Sequence, residues 1–209
     1  GIRDDLVTGV QTCALPIWDI RPLPFKSFRG RSYAAAVSPE SMPIMARLGV
    51  GLLVIPQKPW DVVKQDFAVY RDVYIKENGC EPPQPFCGGF FFVDKDAGRA
   101  EAMAYEWISK YYHTAMKHYE MTHERFGTHK DYEFYKNVGK YIATQGMDGA
   151  AKDFTDLMPW GTPKQVLEKI EFIREMINPN AIMCNMSYAG MPFKDAERNM
   201  RCFAEYVLD

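Results

Sequence analysis

The stretch SYAAAVSPESMPIMARLGVGLLVIPQKP, residues 32–59, decides the fold. Tyr33–Val37 is a short apolar run that reads as a buried strand. Ser38 stands where a helix N-cap belongs, with Pro39 at the first helical position and Gly49 as the C-terminal stop. Pro43 argues against a regular helix between them. Gly51–Ile55 is a second apolar run, ended by Pro56. Strands that are apolar on both faces, joined through a helix, imply a parallel sheet covered by helices.

The alternation continues outward. In WDVVKQDFAVYRDVYIKENG, residues 60–79, Val63, Phe67, Tyr70 and Tyr74 share one helical face, and Asn78-Gly79 closes it. FCGGFFFV, residues 86–93, reads as a third strand. Asp94 is expected to cap a long helix whose stripe holds Ala97, Ala100, Ala104, Trp107, Ile108, Tyr111 and Ala115. Residues 122–160 show few apolar periods and read as an insertion carrying short helices. In GTPKQVLEKIEFIREMI, residues 161–177, Thr162 and Gln165 make a capping box, Pro163 takes the first helical position, and Val166, Ile170, Ile173 and Ile177 keep the period. AIMCNMS, residues 181–187, is a fourth strand. KDAERNMRCFAEYVL, residues 194–208, is a last helix with Ala196, Met200, Phe203 and Val207 inward.

Four such units make half of a (β/α)8 barrel, which in full takes ~250 residues. The rival, a doubly wound sheet, usually opens on a glycine-rich phosphate turn, and no G-x-G-x-x-G occurs here. The fold class is therefore α/β, half of a (β/α)8 TIM barrel with an insertion after the third of its strands.

One segment stands apart. GIRDDLVTGVQTCALPI, residues 1–17, has neither helical nor strand period and lacks the charge and apolar pattern of a targeting signal. Its back-translation resembles the two constant arms of a short-read sequencing adapter, with Asp5 and Leu6 in the index slot. Residues 1–17 are accordingly expected to be a non-native scar, as in a metagenomic fragment, and residues 18–209 a partial domain whose parent begins further upstream.

The 209 residues carry a formal charge of −2, and removing Arg3, Asp4 and Asp5 with the scar brings the balance closer to zero. Neither nucleic acid nor an anionic membrane is an expected partner. No apolar run is long enough to span a bilayer. Beyond Cys13, the four cysteines Cys80, Cys87, Cys184 and Cys202 show no metal or disulfide spacing and read as buried thiols in a cytoplasmic protein. His113, His118, His123 and His129 form no metal-ligand pattern, so no metal site is expected.

In a barrel the site lies at the C-terminal ends of the strands. That rule selects Ser38 and its turn, Ile55-Pro56-Gln57, Asp94, and Ser187-Tyr188-Ala189-Gly190. Ser38 and Ser41 could cradle a phosphate beside free helix N–H groups. A cap role alone is the commoner use of such a serine, and the local sequence puts that reading ahead. Trp107, Tyr111, Tyr112 and Tyr119 line a pocket or form a core stripe. No nucleophile signature appears.

Residues 32–59, with WGTPKQVLEKI (160–170) and SYAGMPFKDAERNMRCFAEYVLD (187–209), resemble the bacterial luciferase-like, flavin-dependent monooxygenases. The resemblance runs from about Ile20 to the end and matches the C-terminal half of that family's single barrel. It implies an enzyme that uses reduced FMN and O2 to oxygenate a small organic substrate, such as an aldehyde, alkane, ketone, terpene or sulfonate. It also implies a flavin reductase as possible partner and a homo-oligomeric parent. By matching position, Ser38 and Ser41 would hold the FMN phosphate with the backbone of Val37, which replaces an acidic residue of the family. Leu53, Val54, Ile55 and Pro56 would lie along the flavin ring, with Pro56 at a position aromatic elsewhere. FGTHKDYEFYKN, residues 126–137, resembles part of the family's mobile lid. The family's catalytic histidine belongs to the other half, so no catalytic residue is assigned, and this half alone is expected to be inactive. Two alternatives stay open: a deazaflavin-dependent hydride-transfer enzyme of the same superfamily, and a flavin-binding relative without turnover.

Overall fold

The computed structural model describes residues 25, 26, 28, 30–36, 38–121, 123 and 133–208. The readings placed on residues 1–17, Val37 and residues 124–132 lie outside the described residues. Four strands, β1 (Tyr33–Ala35), β2 (Gly51–Val54), β3 (Phe86–Phe90) and β6 (Ala181–Asn185), form one parallel sheet in the order β1-β2-β3-β6. A second parallel pair joins β4 (Phe92–Val93) to β5 (Trp160–Gly161). The helices are α1 (Ser41–Arg47), α2 (Trp60–Asn78), α3 (Ala97–His118), α4 (Glu133–Gln145), α5 (Met147–Leu157), α6 (Pro163–Ile177) and α7 (Phe193–Tyr206). Within the main sheet each strand pairs with the one before it among the four, and every pairing is parallel, as in consecutive units of a barrel wall.

The strands bury both faces unequally. Leu52 packs with Met42, Ala46, Tyr70 and Tyr74 of α1 and α2, and Val54 and Cys87 pack with Val63 of α2 and Ile173 and Ile177 of α6. Leu53, Ile55 and Gly88 therefore point to the opposite, inner face, because side chains alternate along a strand. A Cβ on Gly88 would meet Ile55 at 3.0 Å and Met183 at 3.6 Å, which places those two side chains over the glycine. Met183 is 43 % exposed, so this part of the inner face is not closed by the described residues.

Helix ends follow sequence in some places and depart from it in others. Thr162 and Gln165 form the expected reciprocal box with Pro163 at the start of α6, and Gly79 takes the left-handed C-cap of α2 with φ 71°. The predicted cap at Ser38 is corrected: α1 begins at Ser41 with Glu40 at its N-cap. That start puts Pro43 in the first turn, where a missing N–H costs nothing. Asp94 does not cap α3; Asp96 does, accepting a hydrogen bond from Arg99 N–H at 2.8 Å. Ala97 is exposed on α3 and Tyr112 is buried, which shifts the predicted stripe by part of a turn.

The expected single strand over residues 86–93 is broken at Phe91. Phe91 N–H still donates to Asn185 O of the main sheet at 2.9 Å, while Phe92 N–H and Asp94 N–H turn to Pro159 O and Gly161 O at 3.3 and 3.2 Å. The chain changes partners within two residues, so the apolar run serves two sheets. The insertion is also more regular than expected. Its described part holds two full helices, α4 and α5, which pack Ile142, Ala150, Ala151 and Phe154 into the largest apolar cluster with α3.

On α7, Met200 is 47 % exposed and Asn199 is fully buried, reversing the predicted inward position. Ala196 and Phe203 face inward as expected. Cys80 is exposed, against the reading of four buried thiols; Cys87 is buried and Cys184 and Cys202 are half-buried, and all four are free. Burial pushes the thiols of Cys87 and Cys184 up to about 12 and about 11, so neither is a thiolate at neutral pH. Among the described residues no helix is long and apolar enough to cross a membrane.

Candidate functional site at the C-terminal ends of the strands

β1 ends into the turn that carries Ser38 and Ser41. The two hydroxyl oxygens lie 3.0 Å apart and both residues are half-buried. Ser38 Oγ accepts from Ser41 N–H at 3.2 Å, and Ser41 Oγ–H donates to Ser38 O at 2.9 Å. Ser38 thus keeps the local capping bond although it sits outside the helix. A hydroxyl pair of this spacing can turn to a single anionic oxygen at little cost, which is the donor set a phosphate needs.

Of the four residues expected along the ring, at and just beyond the end of β2, the structure separates two pairs. Leu53 and Ile55 are half-buried on the inner face. Val54 faces the helix layer with Trp60 and Ile173, leaving only its backbone toward the inner side, and Pro56 is buried. Gln57 is exposed just beyond them.

At these strand ends α3, the insertion helix α5 and the turn after β6 build an aromatic roof. Phe90, at the end of β3, packs against Tyr111 at a ring-centroid distance of 4.1 Å, Tyr188 at 5.1 Å and Phe154 at 6.0 Å. Ile55 packs on the same cluster. Burial holds the Tyr188 hydroxyl well above the usual phenol range, and the neutral group donates to Phe91 O at 3.2 Å. Ala189 and Gly190, at φ 56° and 79°, turn the chain after β6 so that Met191 N–H returns to Tyr188 O at 2.9 Å. Of the predicted aromatic stripe, Trp107, Tyr111 and Tyr112 join this roof, and Tyr119 is exposed.

Beside the roof lies a cavity of about 480 Å³ between α3, α4, α5 and the Gln57–Pro59 turn. Of the residues that line it, the sequence singled out Gln57, Tyr112 and, within the lid-like run 126–137, Phe134 and Asn137. The signal was present: Phe134, Val138 and Ile142 on α4, and Met147, Ala150, Phe154 and Leu157 on α5, recur at helical spacing.

Asp94 belongs to a different task. Its carboxylate is buried and receives Arg99 Nε at 3.1 Å, Arg198 Nε at 2.8 Å and Asp96 N–H at 3.0 Å, and Arg99 continues to Asp195 at 2.6 Å. Burial alone would raise its pKa, but the Arg198 hydrogen bond, the Asp96 N–H and the charges of both arginines outweigh it and hold it below the ordinary carboxylate value. A depressed folded value contributes stability above the unfolded pKa, ~3.9, that is lost as pH falls through the folded one. Asp94→Asn should therefore cost roughly 1.5–2 kcal/mol at pH 7, the low end for charged hydrogen bonds because Arg198 is over half exposed. Urea unfolding at stepped pH checks it: the gap from wild type should narrow as the pH falls below the unfolded value and through the lower folded one. A gap constant across that range refutes the assignment.

His113 pairs with Asp148 at 3.1 Å on the surface, and His118 packs edge-on against Tyr119. His129 lies outside the described residues. Among the described residues no three metal-ligating side chains converge.

Residues 17–177 match the family described as luciferase-like monooxygenase. Among solved structures, the chain is similar to monooxygenase RslO1 from Streptomyces bottropensis, with TM-score 0.55 and 22 % identity over 84 % of this chain and 46 % of that one. It is similar also to the oxygenating constituent of 3,6-diketocamphane monooxygenase from Pseudomonas putida, solved with FMN, with TM-score 0.54 and 16 % identity over 84 % of this chain and 47 % of that one. At these identities the likeness is one of fold, and the chain spans about half the length of either structure. Comparison with curated protein sequences gave no match. The parallel β1-β2-β3-β6 wall is part of a (β/α)8 barrel, and with more than half its length matched, the chain belongs to the luciferase-like monooxygenase family.

Proposed function

We propose that the chain is the C-terminal half of a flavin-dependent monooxygenase that takes reduced FMN and O2 to oxygenate a small organic substrate, and that this half does not turn over alone. The observation that carries the reading is the family match over residues 17–177. The strand-end geometry suits it. Ser38 and Ser41 offer paired hydroxyls for the phosphate, Leu53 and Ile55 an apolar surface for the ring, and the roof of Phe90, Tyr111 and Phe154 excludes water from the space beside it. When bound, the reduced flavin supplies the electrons that activate dioxygen. The protein's own part is to orient and to keep the surroundings dry. A flavin reductase that delivers the reduced cofactor, a homo-oligomeric parent and a cytoplasmic setting complete the proposal. Free, half-buried thiols such as Cys184 suit a reducing compartment.

Paired ligands test the phosphate assignment, since riboflavin shares the ring of FMN and lacks its phosphate. In the full-length parent enzyme, Ser38→Ala should weaken FMN about tenfold to a hundredfold, the equivalent of roughly 1.5–3 kcal/mol for a charge-assisted bond, and hardly change riboflavin. Ser41→Ala should do the same to a smaller extent. Fluorescence titration of both flavins reads the two constants. Equal losses for the two ligands, or none, return Ser38 to a turn-forming role.

A further inference from the structure

Both ends of the main sheet are open. Among the described residues β1 and β6 are its outermost strands, so each presents a row of backbone N–H and C=O groups with no strand beside it. The helices that follow these two strands are apolar on exposed surface. At α1, Ile44 and, one turn on, Leu48 are exposed. On α7, Phe193 and Met200 share an exposed stripe that borders the buried face of Ala196 and Phe203. Met183, on the inner face of β6, is exposed as well. Unpaired edges and uncovered apolar side chains thus coincide at the two ends of one sheet.

The register says what fits between those ends. From Ala35, the last residue of β1, the ladder runs through Leu53 and Phe86 to Ala181, the first residue of β6. Across four strands the pairing has drifted from a strand end to a strand start, and β6 continues to Asn185. A closed eight-stranded parallel barrel has a shear of about 8, so two identical halves must each supply an offset of about four residues. That offset sets Asn185 beside Ala35 of a second copy and Met183 beside Tyr33 of that copy, with no strand end left over. It is even, so the faces also agree. Ala35 shares the inner face of Leu53, and Met183 that of Gly88. In the ring so formed, α7 of one copy is the neighbour of α1 of the other, and the Phe193–Met200 stripe meets Ile44 and Leu48.

We propose that two copies of this chain associate about a two-fold axis along the barrel and close one eight-stranded parallel barrel, each β6 pairing with β1 of the other copy. The length agrees, since one copy spans about half of the solved relatives. The two junctions are equivalent, and closure leaves no edge for a third copy. The proposal rests on the barrel fold and on no assignment of flavin or substrate.

Sedimentation of the whole chain, without flavin, should show a dimer at micromolar concentration, with a thermal midpoint that rises with concentration. Ile44→Lys and Met200→Glu each set a charge against an apolar partner surface and should each weaken the dimer about tenfold or more, while circular dichroism stays unchanged. Mixing the two variants should restore association, because one junction of the mixed dimer is wild type and the other pairs the two new charges. Contacts of α1 with α1 and of α7 with α7 would give no such rescue. Should Met200→Glu fail to fold, Phe193→Glu replaces it on the same stripe at a position 90 % exposed. A wild-type chain that stays monomeric would leave both edges to a different chain and overturn the proposal. So would assemblies larger than a dimer, or mixing without rescue. No readout involves flavin, so these failures are distinct from loss of the Ser38 effect on FMN.

Discussion

Asn199→Ala is expected to lower the unfolding free energy by about 3–5 kcal/mol, from the ~1–3 kcal/mol cost of each buried backbone group left unsatisfied. Asn199 is fully buried on α7, and its amide reaches three backbone groups at once. Its Oδ1 accepts from Val93 N–H at 2.8 Å, and its Nδ2 donates to Phe91 O at 2.8 Å and to Met186 O at 3.1 Å. These are the groups freed where the chain leaves β3 for β4 and where β6 ends. Phe91 O keeps the Tyr188 hydroxyl, so its loss is partial, whereas Val93 N–H and Met186 O lose the bond outright. Asn199→Asp adds a test with a sign. A buried carboxylate facing two carbonyl oxygens should be at least as harmful at pH 7 and recover in acid, where the protonated group can donate once more. Urea midpoints for wild type and both variants decide the matter. A loss under ~1 kcal/mol for alanine would mean that water replaces the amide and that the strand switch needs no clamp.

Phe154→Ala should be comparably severe, about 3–5 kcal/mol, as for other large aromatic truncations in a packed interior. Phe154 is buried and lies within ring-contact distance of Phe90, Tyr111 and Tyr112, at 6.0, 6.3 and 5.2 Å. It forms part of the wall of the cavity beside the roof, so its removal enlarges that space instead of leaving a sealed void. Thermal unfolding should report the stability loss. Val138→Ala, on the half-buried opposite wall, should cost only ~1 kcal/mol by the same measurement. Similar losses at the two positions would show that the roof does not carry the packing assigned to it.

The local elements were legible where a residue's chemistry acts on its own backbone. The Thr162-Pro163-Gln165 start of α6, the Asn78-Gly79 end of α2 and the Val63-Tyr70-Tyr74 face all stand where the sequence put them. Ser38 marks a limit of such reasoning. Its capping bond to Ser41 exists, but the helix starts three residues later, because the turn absorbs Pro39 and places Pro43 where its missing N–H is harmless. The α4 and α5 periods were visible and were outweighed by the polar run around them. Packing on Ile55, Phe90 and Trp107 is what makes those helices regular.

The sequence by itself determined the alternation of the four main strands with their helices, the parallel sheet and the family, since each follows from short-range periodicity and from motif order along the chain. Tertiary structure alone decided the rest. It split one apolar run between two sheets at Phe91, made Asn199 the buried residue of α7 in place of Met200, and turned Asp94 from a cap into the anchor of two arginines. In each case a polar or apolar group answers to partners far along the chain, Phe91 to Asn199 and Asp94 to Arg198. Which of several chemically adequate residues meets such a partner depends on how the elements pack, and no local pattern carries that information.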